Sequence, residues 1–112
     1  MTAIILIYLS SFLNPLPVEM QRMDKCELKG AVYIEKEDRN RAHYIIHEEE
    51  SEAFAEVLVF KEYSRTYADR PGYWYFVENR GMADFIVYFE KEAGMADFTI
   101  FFTETASFAG CQ

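Results

Sequence analysis

Two histidines four residues apart, His43 and His47, with Glu48-Glu49-Glu50 directly after them, are the side chains in this sequence best suited to coordination chemistry. On a strand, residues four apart share a face, so His43, His47 and Glu48 form a candidate ligand set for zinc or nickel. The plainer reading is two surface histidines at a strand's ends. A second set is Glu56, Asp69, Asp84 and Asp97, which recur at equivalent places in a repeat. If the repeats converge at one end these carboxylates ring a cation; otherwise each accepts hydrogen bonds from loop N–H groups nearby, which needs no ligand. Tyr73-Trp74-Tyr75 offers three rings for stacking on a sugar or base. Alternation turns Trp74 away from both tyrosines, so one side of that segment belongs to the core. Ser10, Ser11, Ser51, Ser64 and Ser107 lie in no nucleophile motif, and no glycine loop is spaced to cradle a phosphate. No catalytic residue and no cofactor is therefore expected.

The two cysteines, Cys26 and Cys111, stand near the two ends of the repeated region and have no CxxC or Cys/His spacing. In an exported chain a Cys26–Cys111 bridge would clasp the folded unit, contributing about 4–5 kcal/mol by loop entropy; in a reducing compartment both would be free thiols. A net charge of −8 opposes binding to nucleic acid or to an anionic membrane surface. The acidic residues are read as solvated loop positions that keep an aromatic-rich protein soluble.

The elements that must position these groups come from a tandem repeat. Gly81-Met82-Ala83-Asp84-Phe85-Ile86-Val87-Tyr88-Phe89 returns thirteen residues later as Gly94-Met95-Ala96-Asp97-Phe98-Thr99-Ile100-Phe101-Phe102. The same period runs backwards: Ala42, Ala55, Ala68, Ala83, Ala96 and Ala109 are thirteen, thirteen, fifteen, thirteen and thirteen residues apart, the longer interval being the insertion at Asp69-Arg70-Pro71-Gly72. An earlier copy places Lys29 at the alanine position and supplies Ala31-Val32-Tyr33-Ile34. A repeated supersecondary unit decides an architecture.

Each unit contains a short run of Val, Ile, Phe, Tyr and Thr, which is strand composition, followed by a polar connection too short for a helix. A helix over 48–62 is the competing reading on propensity, and the repeat registration argues against it. Positions three, five and seven of each unit, such as Phe85, Val87 and Phe89 or Phe98, Ile100 and Phe102, are expected to face the core. Their neighbours are too apolar for a fully wet face, so cover on part of both sides is expected. Polar Glu35, Glu48 and Lys61 at position seven predict shorter strands in the first half. Seventeen of the nineteen aromatic residues follow residue 28, so the core is expected to be aromatic-rich.

Residues 1–28 stand outside this period. Ala3–Leu9 with Phe12 and Leu13 is an apolar run of signal-peptide length, too short to span a membrane. It lacks a basic start and a small-residue cleavage site, so an export signal and an extra strand are both open readings. The location follows from that choice: secreted or periplasmic if residues 1–13 act as a signal, otherwise cytoplasmic.

Units beginning Ala-Asp, an aromatic-aliphatic strand, and the variant Gly72-Tyr73-Trp74-Tyr75-Phe76-Val77 after a short insertion resemble the septoil-knot domain family across residues 29–112. The resemblance implies an all-β chain threaded into a seven-crossing torus knot, an exception to the near absence of knots, and it carries no catalytic or binding residues with it. The chain departs from the family pattern before each alanine, where Phe54, Tyr67, Met82, Met95 and Phe108 replace polar residues, and at Cys111, which replaces an aromatic. Such apolar residues either thicken the core, the reading adopted, or form a patch that favours self-association.

The expected architecture is thus a leader and connector over 1–28 and an all-β domain over 29–112, with six short strands in a compact two-layer arrangement. Ala42, Ala55, Ala68, Ala83, Ala96 and Ala109 are expected where chain segments cross closely, Asp69, Asp84 and Asp97 as loop anchors, and Trp74 in the core. The expected function is a non-enzymatic, kinetically stable structural or binding module. The alternative is a metal- or small-ligand-binding module using His43, His47 and nearby Glu.

Overall fold

The computed structural model describes residues 23–112, so the apolar leader and most of the connector lie outside the described residues. Seven strands follow in order: β1 (Gly30–Glu35), β2 (Tyr44–Glu48), β3 (Val57–Lys61), β4 (Tyr73–Val77), β5 (Phe85–Phe89), β6 (Phe98–Phe102) and β7 (Gly110–Cys111). The two-residue β7 is an addition to the six expected strands. No helix forms over 48–62; that segment holds the end of β2, a single 3₁₀ turn at Glu52–Phe54, and β3. The strands of the first half are not shorter: β1 has six residues, and β2, β3, β5 and β6 have five each.

The sheet runs β4-β1-β5-β2-β6-β3-β7, and β3 also pairs with β4, which closes β1 to β6 into a barrel of parallel strands. The two layers expected from the sequence are opposite walls of this one closed sheet. Closure removes the sheet edges that an aromatic-rich β protein would otherwise expose. The stagger is steep and regular. From Gly30 opposite Trp74, the pairing moves two residues along each of β1, β5, β2 and β6 and four along β3, and it returns to Trp74 opposite Lys61. A shear of twelve residues over six strands tilts them about 55° from the barrel axis and gives a radius of about 8 Å, room for side chains alone.

One phase of every strand points inward. Val32, Ile46, Val59, Val87 and Ile100 fill the middle with no exposed surface. The amino ends are floored by Trp74, Phe85, Tyr44 and Phe98, with Trp74 and Phe85 edge-to-face at 5.2 Å and Tyr44 and Phe85 at 6.0 Å. Phe76, Phe89, Phe102 and Ile34 pack on this core from the carboxyl ends. Positions three, five and seven thus face inward in β5 and β6, as expected. Outward residues Ala31, Leu58 and Ile86 are buried as well, beneath the connections.

The segment leading into β1 and each of the six connections contain one turn of 3₁₀ helix: Lys25–Glu27, then Arg39–Arg41, Glu52–Phe54, Arg65–Tyr67, Arg80–Met82, Ala93–Met95 and Ala106–Phe108. In five of the seven a short side chain caps the turn by accepting the N–H two residues on: Asp24, Asp38, Ser51, Ser64 and Asn79. Satisfying an otherwise orphaned donor is what fixes so short a turn in place. The residue closing each turn donates its N–H three residues back; it is alanine in six units and Leu28 in the first. The first unit is therefore shifted one residue from the sequence reading, with Leu28 rather than Lys29 at the alanine position. Leu28 is 2% exposed and belongs to the core.

With β7 placed between β3 and β4, every step from one strand to the next advances two places around a ring of seven. No residue of any 3₁₀ turn is buried, so the connections run on the outside of the barrel.

Candidate functional site

The residue after each closing alanine makes a two-point bracket on a neighbouring strand. Asp84 donates its N–H to the Ala31 carbonyl and accepts the Ala31 N–H on Oδ2, both at 2.8 Å. Asp97 does the same with Ile45, at 2.6 and 2.8 Å, and Glu56 with Thr99, at 3.1 and 3.3 Å. His43 takes the equivalent place: its N–H donates to the Ile86 carbonyl at 2.8 Å and its Nδ1 accepts the Ile86 N–H at 3.0 Å. Because each strand starts two residues beyond its neighbour, its first groups overhang the sheet, and the bracket supplies the missing partner.

Glu56, Asp84 and Asp97 are thus engaged one by one, around the barrel, and among the described residues the recurrent carboxylates are not gathered around one point. Asp69, beside the insertion, lies 3.9 Å from its own neighbour Arg70 and makes no such bracket. Asp84→Ala leaves the N–H of fully buried Ala31 without its partner and should cost about 1–2 kcal/mol, whereas Asp84→Asn keeps an accepting oxygen and should cost less than half of that; urea titration of the three proteins measures both.

The structure does not bring His43 and His47 together. They share a face at the start and near the end of β2, about 13 Å apart at strand spacing, too far for one metal ion. His47 Nδ1 lies 2.8 Å from the Glu90 carbonyl and Nε2 3.2 Å from Glu49 Oε1. Glu48 ends β2. Among the described residues no group of three or more His, Cys, Asp or Glu is placed to hold a metal. Trp74 has no exposed surface and donates its indole N–H to the Leu28 carbonyl at 3.2 Å, so it offers no stacking face. Tyr73 donates its hydroxyl to the Ala106 carbonyl at 3.1 Å. Ala55 and Ala68 are buried, and Ala42, Ala83, Ala96 and Ala109 are partly so. Cys26 and Cys111 form a disulfide across 85 residues of chain.

A groove of about 700 Å³ opens at the carboxyl ends of β1 and β4, between Tyr33, Ile34, Phe76, Val77 and the Glu35, Arg41 and Arg80 side chains. Glu35, 5% exposed, pairs with Arg80 Nη1 at 2.6 Å and accepts the N–H groups of Glu37 and Asp38 at 3.2 and 3.3 Å. Burial raises its pKa, but those two N–H groups and the charges of Arg41 and Arg80 outweigh it, holding the carboxyl below its ordinary value. A carboxylate held ionised in this way is unsuited to general-acid work. Arg80 also donates to the Arg41 carbonyl at 2.5 Å, so the pair ties the end of β1 and the connection after it to the connection between β4 and β5. Sequence reading missed this pair, since nothing local links Glu35 to a residue 45 positions away.

The apolar residues before the alanines do not thicken the core. Phe54, Tyr67, Met82, Met95 and Phe108 are 56% to 74% exposed. Each is the last residue of a 3₁₀ turn lying outside a barrel already filled, so its side chain projects to solvent. Among the described residues no helix is long and apolar enough to cross a membrane.

Comparison with known proteins gives one match: the family model described as the 7(1) septoil knot domain covers residues 25–112. No curated protein and no solved structure matches the chain.

Proposed function

We propose that this chain, which belongs to the septoil knot domain family, acts as a non-enzymatic structural or binding module whose useful property is persistence. One observation carries the reading: the same interlock recurs around the barrel. Each bracket ties strands that are far apart in sequence, so no strand leaves without breaking contacts to two others. In a wound chain, unfolding further requires the ends to pass back through the circuits. The barrier to unfolding is then large even where equilibrium stability is ordinary. A surface suited to contact stands on this frame in the five exposed apolar residues of the turns, the feature that differs most from a plain soluble domain.

The polar groups favour a scaffold over a reaction centre. The groove's buried carboxylate is paired, and Glu56, Asp84, Asp97 and His43 each serve a neighbouring strand. The test is kinetic. Unfolding of the protein with its disulfide reduced and alkylated after folding, extrapolated to water from guanidinium data, should have a half-life of about days, and limited proteolysis should spare residues 83–108. Unfolding within seconds, with early cleavage inside 83–108, overturns the reading.

A further inference from the structure

We infer that the Cys26–Cys111 disulfide supplies the seventh step of the winding and turns an open wound chain into a covalently closed knot that outlasts unfolding. This rests on the wound reading above and goes beyond it. Six connections each carry the chain two places around the ring of seven, over the outside of one strand. The step still lacking runs from β7, across the entrance of β4, to β1. The disulfide makes it. Cys111 ends β7, and Cys26 sits in the 3₁₀ turn that leads into β1.

The segment before β1 lies against β4 as the pattern requires, because the Leu28 carbonyl accepts both the Gly72 N–H, at 2.9 Å, and the Trp74 indole N–H. The six parallel strands run inside and the connections outside, while the short β7, antiparallel to β3, together with the disulfide completes the second circuit of the barrel. Closed on itself, that path is a seven-crossing torus knot. A closed knot cannot be removed by any motion of an intact chain, so the oxidised protein stays knotted in denaturant. Refolding from that state needs no threading. Once the bridge is reduced, the ends are free and the knot is lost as they diffuse out.

The experiment is a double jump. The full chain is unfolded in guanidinium chloride for delays from minutes to a day, then diluted, in two forms: oxidised, and reduced after folding by a dithiol. The dithiol delivers two electrons, is itself oxidised to its disulfide, and leaves thiols at Cys26 and Cys111, which are then alkylated. The oxidised form should refold at one rate after every delay. The reduced form should slow by at least about tenfold as the delay lengthens. Prolyl isomerisation affects both forms and is removed by adding a prolyl isomerase. Loop entropy from an unknotted ring would speed refolding equally at all delays, so the dependence on delay separates the two. The Cys26→Ser/Cys111→Ser variant repeats the reduced arm without alkylation; if it does not fold, the alkylated wild type carries that arm.

Equal slowing of both forms with delay overturns the closure alone. A rate independent of delay in both forms overturns the closure too, and joined with fast unfolding it removes the wound reading as well.

Discussion

Gly72→Ala should lower the unfolding free energy of the oxidised protein by about 2–5 kcal/mol, the sum of a strained backbone and an overpacked crossing. Gly72 has φ of +87°, a conformation that side chains disfavour. A methyl group there would lie 2.5 Å from the Gly110 nitrogen and 3.0 Å from the Ala109 carbonyl carbon. These are backbone atoms, and the C-terminal segment that owns them is fixed by β3, by the disulfide, and by Gln112, whose amide donates to the Glu52 and Ala55 carbonyls. Neither partner can retreat. Reduction frees the C-terminal segment, so in the reduced protein the cost should fall towards that of backbone strain alone. Gly94→Ala is the control, since a methyl group there meets nothing within 4 Å and φ is not positive; its effect should be near zero or slightly stabilising. Denaturant midpoints of both variants, with and without reductant, check the four values.

The crossing at Gly72 also shows what was legible in the sequence. The period of thirteen, the strand composition and the alternation identified six of the seven strands within a residue or two, because each unit repeats the same local chemistry. The first unit was misread by one residue because Leu28 replaces the alanine used as the marker. Its cap was visible: Asp24 precedes Leu28 by four, as Asp38, Ser51, Ser64 and Asn79 precede Ala42, Ala55, Ala68 and Ala83. That spacing also marks the 3₁₀ turns, which were read only as polar connections. Barrel closure could not be read, since it depends on a register between β3 and β4 that only tertiary packing sets. The outward turn of Phe54, Tyr67, Met82, Met95 and Phe108 follows from closure, because a filled barrel has no room for them. The Glu35–Arg80 pair was hidden for the same reason. Contacts between distant units carry no periodic signal, whereas contacts repeated in every unit do.

Trp74→Ala should cost about 3–5 kcal/mol, the range for emptying a large, fully buried aromatic site. Trp74 is the chain's one tryptophan, has no exposed surface, and packs on Phe85 at 5.2 Å and Phe76 at 6.1 Å. Its place matters beyond its size. The register meets itself at this residue, with Gly30 of β1 on one side and Lys61 of β3 on the other, so the side chain supports the seam where the sheet closes. Among the six barrel strands the seam is also the shortest ladder, pairing only Phe60 with Tyr73 and Lys61 with Trp74 between β3 and β4. A void beneath it should loosen closure before any other part of the barrel. Trp74→Phe separates packing from hydrogen bonding: the Leu28 carbonyl keeps the Gly72 N–H as donor, so the cost should be about 1–3 kcal/mol, from lost volume alone. Hydrogen exchange locates the effect. In Trp74→Ala the amides of Phe60, Glu62 and Gly72 should lose protection ahead of those in β2 and β6, and uniform loss across the barrel would show that closure is not governed at this seam.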